Sequence, residues 1–327
     1  MSESGHLEGR KAAVTGAGGF IGGAVARRLL EEGAAVRGLD VDDRVEAGLS
    51  EAGIEFVHCD VRRQDEVRAA LADADLVVHT AAYVREYGTM DEFIDLNVRG
   101  TVNVLDAAEH GGAERIVHLS SVVVYGYDDA AHQRDHAFRR VYGIPYIDTK
   151  SASDRIACRR GAIVVRPGDV YGPGSSWVLR PLELARAGQL SVPHPGDGLM
   201  LPVYIADLVE AIVLALQAGR PGQPYAVWSG EQVTFREYFD HYAAMTATRP
   251  ARRLPRALLA IAGRSMEAYA QMRSAEPMFT PAAMKFIDRR GTASAERIRD
   301  ELGWEPRVSM DEGMARVERW ARAEGLL

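Results

Sequence analysis

The sequence predicts an α/β fold built on a doubly wound parallel sheet, with a smaller C-terminal region interleaved with it. Three observations carry that expectation. Short apolar runs alternate with longer amphipathic stretches through the first half of the chain. A glycine-rich turn joins the first apolar run to the first amphipathic stretch. After Pro167 the pattern breaks into dense Pro and Gly before helical periodicity resumes.

Taken in order, the runs "KAAVTG", "AVRGLD", "IEFVHCD", "DLVVHT", "RIVHLSS" and "AIVVRP" each read as a strand. They are rich in Val and Ile and do not alternate with polar residues, as befits strands covered on both faces. Beyond them, "YGPGSSW" and "SVPHPGDG" read as loops, and "VYIADLVEAIVLAL" as a helix. Two capping boxes mark later helix starts, Thr234 with Glu237 and Ser309 with Glu312. "PYAVWSG", Pro224 to Gly230, reads as a strand able to rejoin the main sheet. The expected organisation is therefore a sheet-bearing domain over residues 1–170, with 203–230 folding back onto it, and a smaller domain over 171–327.

Composition narrows the function. A chain of 327 residues with 47% apolar content buries a substantial core. Its net charge of −7 comes without a basic tail or interleaved aromatic and basic residues, so nucleic acid is not an expected partner. The opening "MSESGHLEGRK" has the character of neither a secretory signal nor a transit peptide. Cys59 and Cys158 stand far apart outside any CxxC pattern, which suggests reduced thiols and a cytoplasmic location. No apolar run reaches the ~18 residues of a membrane span, so stable membrane insertion is not expected. "LPRALLAIAGRSMEAYAQM", Leu254 to Met272, is apolar on one side and flanked by Arg252, Arg253 and Arg256. A helix covering a substrate pocket is the favoured reading of that stretch, and a helix lying on a membrane surface the other.

In "VTGAGGFIGGAVARRLLEEG" an apolar strand runs into Gly16, Gly19 and Gly22, and then into an amphipathic helix. Glycines at this spacing give the tight turn and close backbone approach that a pyrophosphate needs, and the helix N-terminus supplies unpaired N–H groups; the arrangement is that of a Rossmann dinucleotide site. Asp40 closes the next strand, where a carboxylate accepts hydrogen bonds from ribose hydroxyls and repels a 2′-phosphate. NAD is favoured over NADP, although Arg44 lies close enough in sequence to hold a phosphate. Asp60 and Val61, after the third strand, fall where the adenine edge would lie.

"PYIDTK" places Tyr146 and Lys150 four residues apart, on one face of a helix. Alone, such a pair also fits a solvated surface. In the company of "TGAGGFIG", "HTAA", "LNVRGT", "SSVVVYG", "VVRPGDVYGPG", "YIADLVEAI" and "ELGWEPRVSMDEG", it gives the chain a resemblance to the extended short-chain dehydrogenase/reductases, the group of nucleotide-sugar epimerases, dehydratases and 3β-hydroxysteroid dehydrogenases. The resemblance covers nearly the whole chain. It implies Tyr146 as general acid/base, Lys150 as its activator, Ser121 as the hydroxyl holding the substrate oxygen, and Asn97 as the member of the set that shapes the helix behind the site. It adds Phe20, Ile21, Ala81, Ala82 and Pro167 to the cofactor contacts, beside Tyr146 and Lys150 themselves. It also implies a homodimer packed through the helices after Asn97 and around Tyr146. The segment between Lys150 and Arg166 is shorter than in the group, which implies a trimmed helix.

Simple electrostatics supports these roles. A free Tyr titrates near ~10, so half-deprotonation at neutral pH takes about 4 kcal/mol. One cation at about 4 Å, under an effective dielectric of ~20, supplies a contribution of about that size, and the positive nicotinamide of the oxidised cofactor adds to it.

For the substrate, dehydratases of the group carry an acid pair where this chain has Val122, Val123 and Val124, so elimination is not expected. Nucleotide-sugar enzymes resemble this chain except that Asn stands at the place of Asp169 and an Arg near Met200, both to hold a diphosphate. A free Asp169 would repel that group. The expected substrate contacts are Tyr83, Ser121, Val122, Tyr146, Asp169, Trp177, Met200 and Pro202, and they suggest a secondary alcohol or ketone on an apolar, 3β-hydroxysteroid-like small molecule. A nucleotide-sugar epimerase is the alternative, and a non-catalytic dinucleotide-binding redox sensor the second. No metal is expected: His132 and His136 in "HQRDH" have helical spacing but lack a third ligand. His79 and His118 end strands and read as satisfied core histidines.

Overall fold

A computed structural model describes residues 7–85, 87–127, 132–133, 141–273 and 280–327. The opening segment through His6, and His136 of the considered metal pair, lie outside these residues. All six runs read as strands take that form: β1 (Lys11–Thr15), β2 (Ala35–Asp40), β3 (Glu55–His58), β4 (Leu76–His79), β5 (Arg115–Leu119) and β6 (Ile163–Pro167). A seventh, β7 (Pro224–Val227), returns from the C-terminal half and pairs in parallel with β6. The sheet order is β7-β6-β5-β4-β1-β2-β3, with every neighbouring pair parallel.

Successive strand residues serve opposite layers, as the strand period of two requires. Val14, Leu76 and Val78 join one core with Val25 and Leu29 of helix α1 (Phe20–Glu31) and with Leu208 and Ile212 of the helix Ile205–Ala218. Ala13, Leu39 and Val77 face the other way, onto Val67, Leu71, Val104 and Ala108 from the helices Gln64–Leu71 and Thr101–Gly111. Helices on both faces explain why these strands lack polar alternation.

A second apolar cluster holds the C-terminal elements together. Val178 and Leu182, Phe235, Tyr238 and Tyr242, and Met314 and Val317 bring three helices onto one another, Ser176–Arg186, Phe235–Met245 and Met310–Ala323. The Thr234–Glu237 capping box forms in both directions. At Ser309 only half of the expected box is made: its hydroxyl accepts from the Glu312 N–H, while the Glu312 carboxylate pairs with Arg316 one turn on. A short parallel pair, Asp169–Tyr171 with Pro202–Tyr204, lies between the sheet and this cluster.

Candidate active site

The parallel strands all end on one edge of the sheet, and the cleft lies there, as open α/β sheets dictate. Its volume is about 600 Å³. At one end, β1 turns at Gly16, whose φ of +71° is left-handed and suits only glycine, and the chain enters α1 at Gly19. No side chain among the described residues caps that helix end, so the N–H groups of its first turn face the cleft unpaired. A Cβ on Gly22 would sit 2.1 Å from the Gly16 carbonyl oxygen and 2.7 Å from Thr80 Oγ1. The turn is therefore closed as tightly as backbone permits, which is the cradle a pyrophosphate requires. Asp40 stands beside it at the end of β2, with Oδ2 accepting from the Gly18 N–H at 2.8 Å. Arg44, the possible phosphate holder, is 89% exposed and its guanidinium pairs with Asp42 at 2.7 Å. These residues fit NAD: Asp40 is the group that would face a ribose, and Asp60 and Val61 line the cleft beyond it.

Gly22→Ala is expected to strain this turn by about 1–3 kcal/mol, raising the Kd for NAD about tenfold to a hundredfold. Calorimetric titration of the folded variant measures it; an unchanged Kd would remove the cradle from cofactor binding.

Farther along the cleft stand Ser121, Tyr146 and Lys150. Ser121 follows β5 in an extended conformation and begins a tight turn over Val122–Tyr125. Tyr146 and Lys150 lie in the first two turns of the helix Pro145–Arg159. That helix is fifteen residues long, so the short spacing to Arg166 falls in the connection to β6 and the helix keeps four turns. Ser121 and the Tyr146 phenol line the same stretch of the cleft. Lys150 is buried and donates from Nζ to the Leu119 carbonyl at 2.8 Å.

The expected acidification of Tyr146 is not found. Burial pushes its phenol up to about 12, the Ser121 hydroxyl works against that rise, and the Asp169 carboxylate adds to it. Lys150 is itself pushed down to about 8 by burial, with Asp154 opposing. The one-cation argument omitted the desolvation of both groups, which disfavours each charged form. The chain's own groups thus favour the protonated phenol.

Asn97 does not reach the cleft. It is 2% exposed, in a π-helical turn over Ile94–Gly100, and it brackets the Tyr83 backbone, accepting from its N–H at 2.7 Å and donating to its carbonyl at 3.2 Å. Its amide also donates to Thr149 Oγ1, beside Lys150, so it positions the helix that carries the Tyr–Lys pair.

Ala81, Ala82, Pro167, Asp169 and Trp177 line the cleft as expected. Four expected substrate contacts do not. Tyr83 stacks edge-on against Phe93, at 4.7 Å between ring centroids, away from the lining. Val122 is buried in the sheet core, because the tight turn after Ser121 swings Val123 to the cleft in its place. Met200 is fully buried in the C-terminal cluster, and Pro202 is buried in the strand paired with Asp169.

The reading of Asp169 as a free charge is also corrected. It accepts from the Leu201 N–H at 2.7 Å and forms a buried ion pair with Arg289, so little of its charge is left to repel an anion. Phe286 and Arg289 were not anticipated from the sequence. Phe286 packs on Trp177 with centroids 5.0 Å apart, giving the cleft an aromatic wall, and the Arg289 guanidinium lies 5.0 Å from the Phe286 ring centre.

His79 is satisfied as expected, between Thr15 Oγ1 at 2.7 Å and Thr101 Oγ1 at 3.1 Å. His118 is not: it is 2% exposed, and neither ring nitrogen has a hydrogen-bond partner among the described residues. Burial lowers both imidazoles, so both are neutral. Among the described residues of Leu254–Met272, none lines the cleft.

Comparison with known proteins places this geometry in context. The model of the NAD dependent epimerase/dehydratase family matches residues 12–228. A 2-alkyl-3-oxoalkanoate reductase of Stenotrophomonas maltophilia is 28% identical, with 94% of this chain and 98% of that protein covered. A 3-beta-hydroxysteroid dehydrogenase of Mycolicibacterium neoaurum is 26% identical over 92% of this chain and 88% of its own. Among solved structures, a dTDP-glucose 4,6-dehydratase of Streptomyces venezuelae with NAD bound superposes with a TM-score of 0.77 at 24% identity, covering 97% of this chain and 100% of that one.

Proposed function

The chain belongs to the NAD dependent epimerase/dehydratase family, and from that premise we propose that it interconverts a secondary alcohol and a ketone on an apolar, hydroxysteroid-like molecule, with Tyr146 as general acid/base. The observation that carries the reading is the sharing of one cleft by the glycine cradle, the Ser121–Tyr146–Lys150 group and the aromatic wall of Trp177 and Phe286. NAD is the cofactor, and when bound it accepts or returns the hydride. The residues of the chain do the rest. Ser121 holds the substrate oxygen beside the phenol. Tyr146 gives its Oη proton to that oxygen in reduction and takes one in oxidation. Lys150, fixed on the Leu119 carbonyl, supplies positive charge to the phenolate left by reduction. Trp177 and Phe286 offer apolar area to the body of the substrate and exclude water from the transfer.

The relatives named for a 3-oxoalkanoate and for a 3β-hydroxysteroid support the apolar reading. One observation favours the epimerase alternative: Arg289 neutralises Asp169, so a diphosphate is no longer opposed there. A panel of steroid, aliphatic and aromatic alcohols, scored by the absorbance of reduced nicotinamide, tests the first reading. Tight calorimetric binding of UDP-sugars with no turnover of the panel would replace it by the second.

Because the phenol is held near about 12, the two directions should depend differently on pH. Oxidation needs the proton to leave, so its rate is expected to rise about tenfold per pH unit on the acid side. Reduction uses a proton already in place and should be flat through neutral pH. Initial rates in both directions between pH 6 and about 9 measure the contrast, and parallel profiles would take the proton from Tyr146.

The same proposal includes a homodimer through the helices Thr101–Gly111 and Pro145–Arg159, which sedimentation would detect, and a cytoplasmic setting, supported by two free cysteines. No helix among the described residues is long and apolar enough to cross a membrane.

A further inference from the structure

The helix Arg256–Arg273 rests on the helix Pro281–Ile287, which carries Phe286 into the cleft. Its inner side is committed: Leu259 is buried, and a Cβ on Gly263 would meet the Pro281 nitrogen at 3.2 Å. The outer side should then be charged, as water-facing helix surfaces are. It is not. Leu258 is 51% exposed, Ile261 64%, Met266 40%, Tyr269 60% and Met272 86%. At 3.6 residues per turn these five fall within an arc of about 140°, one continuous stripe. They are half of the ten large hydrophobics exposed among the described residues, and the other five are scattered from Val41 to Leu179. Scattered apolar side chains need no explanation, whereas a contiguous stripe marks a contact surface.

The charges around the stripe indicate the partner. Arg252 and Arg253, in the strand leading into the helix, and Arg264 on the helix itself are exposed. Arg256 is held by Asp288. This basic border stands on a chain whose net charge is −7. Two copies meeting through a twofold axis would set like-charged arginines against one another, which opposes association. A surface carrying phosphate anions over an apolar interior complements both features.

We propose that the outer face of Arg256–Arg273 docks on an anionic lipid bilayer, with Leu258, Ile261, Met266, Tyr269 and Met272 entering the boundary below the headgroups and Arg252, Arg253 and Arg264 contacting lipid phosphates. The helix lies in the plane of the surface and does not cross it. This docking is independent of the substrate reading, since the stripe and its border lie outside the cleft.

Flotation of the intact protein with vesicles tests it. With mixed phosphatidylglycerol and phosphatidylcholine vesicles the protein should float, with pure phosphatidylcholine it should float far less, and salt should weaken the binding. Ile261→Glu combined with Met272→Glu should abolish flotation, and Arg252→Ala and Arg253→Ala should weaken it by about fivefold each. All four residues are exposed, so unchanged thermal melting should accompany these losses. Protein remaining in the soluble fraction with both vesicle types would overturn the proposal, and equal binding to both would overturn its charged border. If the glutamate pair instead changed the mass seen by light scattering and left flotation unaltered, the face would belong to a second copy of the chain.

Discussion

Tyr146→Phe is expected to lower kcat by about a hundredfold to ten-thousandfold while leaving the affinity for NAD unchanged within a factor of about two. The substitution keeps the ring that packs near Ile147 and Phe286 and removes only the phenolic oxygen. The cradle at Gly16–Gly22 and Asp40 stays intact, so cofactor binding has no reason to change. With the hydroxyl gone, the rising pH dependence of oxidation should vanish, because no group remains in that position to release a proton. Steady-state rates in both directions, with calorimetric titration of NAD, separate the effects. A variant that turns over within a few-fold of the parent would remove Tyr146 from the chemistry and return the redox sensor as the better reading, since a sensor requires binding alone.

That experiment also tests the part of the site most legible in sequence. The cradle was readable because a turn, a helix start and an acid beyond the next strand are local features at fixed spacing, and the helix period alone brings Tyr146 beside Lys150. The strands were readable for a different reason: burial on both faces removes polar residues from every position. Legibility fails where a property depends on residues far apart. Phe286 comes to the cleft, and Arg289 to Asp169, from more than a hundred residues beyond Trp177 and Asp169, and no local pattern announces a buried arginine. The exchange of Val122 for Val123 turns on one tight turn that a run of three valines cannot disclose. The sign of the shift at Tyr146 was missed for the same reason, since spacing reports that a cation is near but not how far the surroundings disfavour each charged form.

The same competition between burial and pairing governs the second large effect. Arg166→Met is expected to destabilise the fold by about 3–5 kcal/mol. Arg166 is 1% exposed at the end of β6, and its guanidinium grips Asp154 through two bonds of 2.8 Å while donating to the Tyr125 hydroxyl at 2.9 Å. Asp154 is fully buried, and apart from Arg166 it accepts from Ser120 Oγ at 2.6 Å. Methionine fills similar space but leaves that carboxylate charged in an apolar setting, which costs more than the pair is worth. Adding Asp154→Leu should therefore recover most of the lost stability, short of about 1 kcal/mol for the bond stranded at Ser120. Urea unfolding of the two single variants and the double variant measures this. The double variant then reveals a role that stability alone would not. Asp154 lies one turn beyond Lys150 and opposes the burial that lowers it to about 8. Without the carboxylate, Lys150 should lose its charge at a lower pH, and the alkaline limit of activity should move down with it. A single variant as stable as the parent would mean that the pair contributes nothing to holding the helix on the sheet. An unmoved alkaline limit in the double variant would mean that Lys150 does not depend on Asp154 for its proton.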